Sequence, residues 1–178
     1  LNMSRTQNIM IVGVGGQGTL LASKLLGRVL LEQGYDVKVS EVHGMSQRGG
    51  DVQSNLRISD SHIYSDLIPK GGADVIISLE PMEALRYLPW LNPETGWIIT
   101  SSARFVNIPT YPAEDALEAA YKNQPRVVSL DVEKLAKDNG IPRSANMILL
   151  GAAQEALGIE YSKLEDAVRR LFARKGEA

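Results

Sequence analysis

Residues 8–18 read NIMIVGVGGQG, a short apolar run that leads directly into a glycine-rich turn. The apolar run predicts a buried strand over residues 8–12. From Thr19 onward, leucine and valine recur at steps of three and four, which predicts an amphipathic helix that stops at Gly34. Residues 37–42 predict a second strand, parallel to the first through a right-handed crossover. This opening unit predicts an α/β fold.

The segment after the second strand departs from simple strand and helix alternation. Residues 52–58 place apolar side chains on one face and predict a half-buried strand. The polar turn 59–61 and the short run 62–64 follow, and together they predict a β-hairpin insertion.

The remainder of the chain returns to alternating elements. Residues 73–81 predict a buried strand followed by a helix with Pro81 in its first turn. SKLE at 162–165 has the spacing of a capping box before a final amphipathic helix. Further strands are predicted at 97–100 and 127–130, and further helices at 113–122, 132–137 and 145–157. The predicted fold is a three-layer, Rossmann-like open sheet, mostly parallel, with helices on both faces and a β-hairpin insertion.

Composition narrows the possible functions. The 178 residues, 44% hydrophobic and 22% charged, are typical of one globular domain over residues 1–178. A net charge of -2 argues against nucleic acid as a partner. No apolar run approaches the roughly 18 residues that span a bilayer, and no signal peptide is evident, so a cytoplasmic protein without membrane contact is expected. Leu1 and Asn2 precede Met3, and residues 1–7 are expected to be disordered or foreign to the natural chain.

Metal and thiol chemistry are disfavoured by the residue types present. The chain has no cysteine, so it offers none of the thiolates that hold iron–sulfur clusters. His43 and His62 stand apart, without metal-ligand spacing around either. No metal site is therefore expected within this chain.

GVGGQG at 13–18 matches the G-x-G-x-x-G pattern between a strand and a helix. In that position, backbone N–H groups and the helix dipole can receive an anion. The acid expected about 20 residues later to hold an adenine ribose is ambiguous between Asp36 and Glu41. A bound cofactor, close packing of the first helix on the first strand, and contact with a protein partner all remain open.

EVHGMSQRGGD at 41–51 has no hydrophobic period of its own, so core packing does not explain its composition. Its glycines permit backbone turns that cup anions, and the guanidinium of Arg48 suits a carboxylate or a phosphate. An ion pair of Arg48 with Glu41 or Asp51 is the structural alternative. A lone loop histidine more often bonds its neighbours than transfers protons, so His43 is not assigned a catalytic role. Later in the chain, Arg143, Ser144 and Asn146 predict mainly a helix start, with Ser144 as its N-cap.

Taken together, the two glycine-rich segments resemble a known family. GVGGQGTLLASKLLG (13–27) and EVHGMSQRGGDVQSNLRIS (41–59) are similar to the beta subunits of indolepyruvate ferredoxin oxidoreductases, in the gamma-domain family of 2-oxoacid ferredoxin oxidoreductases. The resemblance extends from about Asn8 to the C-terminal helices. NMILLGAA (146–153) looks like the family's late helical segment.

The resemblance implies a small subunit that is inactive alone. Its complex would oxidatively decarboxylate aryl 2-oxoacids such as indolepyruvate to acyl-CoA, with coenzyme A as co-substrate and ferredoxin as electron acceptor. Thiamine diphosphate and iron–sulfur clusters would be carried by a large partner subunit, and the isolated chain could form a homodimer. A free-standing Rossmann-type nucleotide-binding protein and a noncatalytic assembly module remain the alternatives.

The residues carried over from the family belong to the edge of a substrate or cofactor site, or to a subunit interface, and none is assigned as catalytic. They are Gly13, Gly15, Gly16, Gln17, Gly18, Glu41, His43, Gly44, Met45, Gln47, Arg48, Gly49 and Gly50. Their expected role is to exclude water from a reactive intermediate while Arg48 supplies a positive charge.

Overall fold

A computed structural model describes residues 6–43 and 49–173 and places six strands in one open sheet. The strands are β1 (Gln7–Val14), β2 (Asp36–His43), β3 (Asp51–Ser59), β4 (Val75–Ser78), β5 (Trp97–Ser101) and β6 (Val127–Leu130). Their order across the sheet is β2-β3-β1-β4-β5-β6. The four adjacent strands β1, β4, β5 and β6 are parallel to one another. Strand β3 is antiparallel to both of its neighbours, β2 and β1.

Helices cover both faces of the sheet. They are α1 (Thr19–Glu32), α2 (Pro81–Arg86), α3 (Glu114–Lys122), α4 (Val132–Asp138), α5 (Ala145–Ala152), α6 (Gln154–Leu157) and α7 (Tyr161–Ala173), with a 3-10 helix at Leu88–Trp90. One apolar core joins α1, α4, α5 and α7 to the sheet. A smaller core joins α2 and one residue of α3 to the other face. The three-layer α/β fold is therefore confirmed.

The first strand and helix agree with the sequence pattern. β1 begins at Gln7, so that residue belongs to the sheet although residues 1–7 were expected to lie outside the fold. α1 ends in a Schellman motif: Gly34 takes φ 88°, its N–H donates to Leu31 O, and Tyr35 N–H donates to Leu30 O. The glycine is required there because side chains disfavour positive φ.

A β-hairpin is present, as predicted, but the strand at residues 52–58 pairs with β2 and not with residues 62–64. β3 pairs with β2 over eight residue pairs, from Asp36 opposite Ser59 to His43 opposite Val52. Residues 62–64 form no strand, and the N–H of Ile63 donates to Asp36 Oδ2 at 2.7 Å. The long β2–β3 ladder satisfies far more backbone groups than a three-residue strand can. As a consequence β2 runs parallel to β1, as expected, but β3 lies between them.

Two helix details also differ from the sequence prediction. α7 begins at Tyr161, so Ser162 lies inside its first turn and bonds Glu160, and the predicted capping box is wrong. The predicted helix 145–157 is split into α5 and α6 at Ala153, whose N–H is shared between two carbonyls. Ser144 does occupy the N-cap of α5, but its side chain makes no capping hydrogen bond.

Candidate functional site at the carboxyl edge of the sheet

The glycine-rich loop after β1 is closed by the amide of Gln17. Its Oε1 accepts the Val14 N–H at 2.7 Å, and its Nε2 donates to Leu79 O at 3.2 Å. The backbone N–H of Gln17 returns to Val14 O at 3.1 Å. Gln17 therefore ties the loop both to itself and to the end of β4.

Two glycines in this loop are required by close approach. A Cβ on Gly13 would lie 2.8 Å from Gln17 Oε1 and 3.3 Å from Leu79 Cβ. Gly18, the N-cap of α1, has φ 83°, and a Cβ there would lie 2.5 Å from Asn146 Nδ2. Asn146 donates to Gly18 O at 3.2 Å. The loop therefore packs against α5 as well as against α1.

The second glycine pair joins the first loop. The N–H of Gly15 donates to Gly50 O at 2.8 Å, and Asn107 Nδ2 donates to Gly49 O at 2.7 Å. Gly49 takes φ 78°. The structure thus brings Gly50 of the second segment against the first glycine loop, with Gly49 beside it. Outside the described residues lie Gly44, Met45, Gln47 and Arg48.

Glu41 and His43 do not join this cluster. They lie two apart on β2, and His43 Nε2 is 3.5 Å from Glu41 Oε2, with the His43 side chain 54% exposed. β3 separates β2 from β1, so these side chains are two strands away from the first glycine loop. The pair belongs to the same end of the sheet but does not line the crevice formed by the loop.

The inserted strand also removes the ribose contact of a dinucleotide site. In such sites the acidic residue follows a strand that neighbours the glycine loop. Here Asp36 accepts the Ile63 N–H and lies 3.3 Å from His62 Nδ1, which gives it a structural role. With Glu41 displaced by one strand, the arrangement disfavours a free-standing dinucleotide-binding protein.

The end of β4 provides a second anchor, which the sequence analysis missed. Glu80 is fully buried, and its carboxylate accepts the Glu83 N–H at 3.0 Å and the Phe105 N–H at 3.2 Å. Tyr111 OH also donates to Glu80 Oε1. The available signal was a charged residue two positions after the buried strand β4, followed by the helix-starting Pro81.

A crevice of about 700 Å³ opens between these loops. Its walls are Gly15–Gln17 on one side and 103–105 on the other, and the start of α5 closes one end. The charged residues of its lining are Arg104, Glu133 and Arg143. Of these, Arg104 also pairs with Glu114 at 3.1 Å, while Arg143 is exposed at the rim. The guanidiniums of Arg104 and Arg143 and the N-termini of α1 and α5 stand against the single carboxylate of Glu133 in this lining, a balance that favours an anionic ligand.

Burial perturbs several side chains near the start of α2. Desolvation raises the pKa of Glu83, which is 1% exposed, against the lowering effect of its 3.0 Å bond to Arg86. Burial, followed by the charges of Asp51 and Glu83, raises the pKa of Tyr87 to about 12. Burial and the bond to Glu80 raise the pKa of Tyr111. Burial thus favours the neutral form of Tyr87 and Tyr111 and disfavours the charged form of Glu83. The three side chains lie around α2 rather than in the crevice.

Within residues 6–43 and 49–173, no group of three or more His, Cys, Asp or Glu side chains is placed to hold a metal ion. Over the same ranges, no helix is long and apolar enough to cross a membrane.

Comparisons with known proteins place the chain in a family. A family model described as pyruvate ferredoxin/flavodoxin oxidoreductase matches residues 8–178. The indolepyruvate oxidoreductase subunit IorB of Pyrococcus horikoshii is 40% identical over 164 residues, covering 87% of this chain and 80% of the relative. IorB of Archaeoglobus fulgidus is 36% identical over 180 residues, covering 94% and 87%. The 2-oxoglutarate synthase subunit KorC of the same organism is 29% identical over 175 residues, covering 98% and 83%.

Solved structures share the fold. The gamma subunit of a keto/oxoacid ferredoxin oxidoreductase from Geobacter sulfurreducens superposes with a TM-score of 0.65 at 23% identity, covering 91% of this chain and 84% of that one. The pyruvate oxidoreductase subunit PORC from Thermotoga maritima gives 0.69 at 19% identity, covering 94% and 86%. The fold likeness and the sequence matches agree over nearly the whole length. The chain belongs to the pyruvate ferredoxin/flavodoxin oxidoreductase family.

Proposed function

We propose that this chain is the small subunit of a 2-oxoacid ferredoxin oxidoreductase that acts on indolepyruvate or a related aryl pyruvate. The supporting names are those of the IorB relatives, which are 34–40% identical. The complex would decarboxylate the 2-oxoacid, pass electrons to ferredoxin and transfer the acyl group to the thiol of coenzyme A, releasing CO₂.

The observation that carries the site proposal is the crevice between the glycine-rich loop and residues 103–105. Its two arginines, Arg104 and Arg143, together with the N-terminus of α1, suit the phosphates of coenzyme A or the carboxylate of the oxoacid. α1 has no side-chain cap and no acidic residue in its first turn, so its N-terminal N–H groups keep their partial positive charge. In this proposal the chain binds and orients the anion and excludes water.

The redox and carbanion chemistry belongs to a larger partner subunit in this proposal. The chain has no cysteine to ligate an iron–sulfur cluster, and its described residues include no group of three or more His, Asp or Glu side chains placed to hold a metal ion. A chain without thiolates does not fit an iron–sulfur cluster. Exposed apolar side chains beside the crevice, Phe105, Val106 and Ile108, suit contact with that partner.

The primary test is anaerobic reduction of a viologen dye by the chain co-expressed with its large subunit, compared with each chain alone. Indolepyruvate and coenzyme A should support activity only in the complex. A complex that forms but prefers other 2-oxoacids would contradict the aryl pyruvate assignment. Normal turnover by the large subunit alone would make this chain a noncatalytic assembly module.

Substitution of Arg143 tests the placement of the anion. Because Arg143 is exposed at the rim, Arg143→Ala should leave stability unchanged and weaken coenzyme A or oxoacid binding roughly 10-fold, the loss of about one charge-assisted bond. The matched control is Arg169→Ala on α7, where the guanidinium pairs only locally with Glu165 at 2.8 Å. Equal effects of the two substitutions would refute the placement.

Arg48 remains a prediction from the family resemblance. Arg48→Ala is expected to weaken oxoacid affinity or coenzyme A dependence in the reconstituted enzyme, and unchanged assembly and kinetics would remove it from the site.

The nucleotide-binding alternative is tested by calorimetry of the purified chain with nicotinamide and flavin cofactors. Measurable binding would reopen that alternative.

A further inference from the structure

Three consecutive residues at the end of β4, Ser78, Leu79 and Glu80, join the two walls of the crevice. Leu79 O accepts from Gln17 Nε2, and this bond holds the glycine-rich wall. The Glu80 carboxylate accepts from Phe105 N–H and Tyr111 OH, and these bonds hold the opposite wall. Ser78 Oγ donates to Glu80 O at 2.5 Å and accepts the Glu80 N–H at 3.3 Å. These two bonds fix the backbone of residues 78–80.

The burial of Glu80 is costly unless its oxygens are fully bonded. The residue is 0% exposed, and its bonding partners come from three places in the chain: Glu83, Phe105 and Tyr111. An N-cap needs only one of these, the Glu83 N–H, and asparagine or serine would serve as well without a buried charge. The remaining two bonds therefore account for the choice of a longer, charged side chain.

The wall that Glu80 holds has little structure of its own. Residues 102–113 form no helix or strand, and Phe105, Val106 and Ile108 are 46%, 67% and 41% exposed. Neither apolar burial nor a backbone ladder can position this segment. Apart from Glu80, its middle is held by the Asn107 bond to Gly49. The start of the segment is held by the Ser102 N–H, which donates to Leu130 O at 3.0 Å, and by the Arg104–Glu114 pair. Glu80 is the buried anchor, since its carboxylate bonds both Phe105 and Tyr111.

We propose that Glu80 is a positioning residue that, through Phe105 and Tyr111, holds residues 103–111 at the distance from the glycine-rich loop that the crevice ligand requires. The inference rests on the proposed function, in which that ligand is coenzyme A or the oxoacid. Glu80 itself does not line the crevice and has no chemical step assigned to it.

The test is a kinetic comparison in the assembled complex. Tyr111→Phe removes one hydroxyl and keeps the ring, so the chain should still fold. KM for coenzyme A or for the oxoacid should rise roughly 10-fold, the effect of about one lost bond to a charged group, while kcat changes little. Glu80→Gln should act in the same direction, because its amide oxygen can still accept but carries no charge. Glu80→Ala should have the largest effect.

Tyr121→Phe is the matched control. Tyr121 OH donates to Pro81 O at 2.6 Å, next to Glu80, and this bond does not reach residues 103–111. It should lower thermal stability without altering either KM. If Tyr111→Phe and Tyr121→Phe lower the melting temperature alike and leave both KM values unchanged, Glu80 is merely structural and the proposal is overturned. Absence of oxidoreductase activity in the wild-type complex would instead overturn the proposed function.

Hydrogen exchange of the assembled complex gives a readout that is independent of turnover. In Tyr111→Phe and Glu80→Gln, amide protection should fall at residues 103–111 and remain unchanged at residues 13–18. Uniform loss of protection over both loops would contradict a role specific to one wall. Unchanged protection at 103–111 would show that Glu80 does not hold the segment.

Discussion

Hydrogen-bonded networks of similar polar side chains lie at the two ends of β1, but the two networks differ in what they surround. At the amino end, Asn8 N–H donates to Asp74 Oδ2 at 2.8 Å, its Nδ2 donates to Gly72 O at 2.9 Å, and its Oδ1 accepts from Arg57 Nε at 2.9 Å. At the carboxyl end, Gln17 and Glu80 bond backbone groups of distant loops in the same way. Both ends use buried or half-buried side chains to satisfy the backbone.

The difference lies in what each network encloses. Around Asn8 the bonds converge on one residue and join β1, β3 and the chain just before β4. Around Gln17 and Glu80 the bonds fix two loops on opposite sides of a crevice. The lining of that crevice includes two arginines. A polar network that closes on itself therefore indicates stabilisation, whereas one that keeps loops around an opening indicates a site.

The largest effect is expected at the carboxyl end, where two glycines differ in their surroundings. Gly18→Ala should destabilise the chain by about 2–3 kcal/mol, because the side chain is strained at positive φ and its Cβ collides with Asn146. Gly16→Ala, at φ 100° with open space around it, should cost only about 1 kcal/mol of strain. Urea unfolding of the purified chain measures both. Equal losses would show that the Asn146 contact contributes nothing.

At the amino end, Asn8→Ala should lower the free energy of unfolding by about 2 kcal/mol, since Arg57 Nε and Gly72 O both lose a partner. Steady-state kinetics of the assembled complex should not change, because this network lies at the opposite end of β1 from the crevice. The contrasting variant is Asn107→Ala, whose exposed amide should contribute under about 0.5 kcal/mol. A KM change in Asn8→Ala would erase the distinction between the two ends.

The smallest expected effect is a loss of stability at alkaline pH, which should reach the carboxyl end of β1 before the amino end. Burial raises the pKa of Tyr87 to about 12 and also raises the pKa values of Tyr111 and Tyr121. A raised tyrosine pKa means that the unfolded chain ionises first, near pH 10. The stability contributed by these neutral hydroxyls is thus intact below pH 10 and lost as pH rises toward the folded-state values.

Hydrogen exchange against pH should therefore show the loss of protection above about pH 10 at residues 103–111 before it shows any at residues 7–9. Tyr111→Phe should flatten the pH dependence at residues 103–111. Simultaneous loss at both ends of β1 would indicate global unfolding and leave no role for Tyr111 in the local response.

Much of the fold was predictable because it depends on local patterns. The order and type of the main strands and helices followed from apolar periodicity, and the match to the oxidoreductase family confirms the resemblance seen in the two glycine segments. The partner of β3 was not predictable in this way. Residues 62–64 and β2 both carry strand-compatible sequence, and only the length of the β2–β3 ladder decides between them.

The candidate site shows the same division. The glycines of 13–18 were recognisable from their spacing, and the expectation that they belong to a site remains a prediction. Glu80 and Tyr111 gave no motif, because they are 31 residues apart in sequence and meet only when β4 and β5 lie side by side. Arg104 and Phe105 escaped notice for the same reason, since they follow β5 without any characteristic spacing.

The sequence by itself determined the class of fold, the glycine-rich turn between β1 and α1, the absence of thiolate ligands and the family. These properties depend on composition and on residues near one another along the chain. The tertiary structure alone decided that β3 separates Glu41 and His43 from the glycine loop, and that Gln17, Glu80 and Asn146 hold loops from distant parts of the chain around one crevice. Such contacts arise from strand order and long-range hydrogen bonds, which no local pattern of residues encodes.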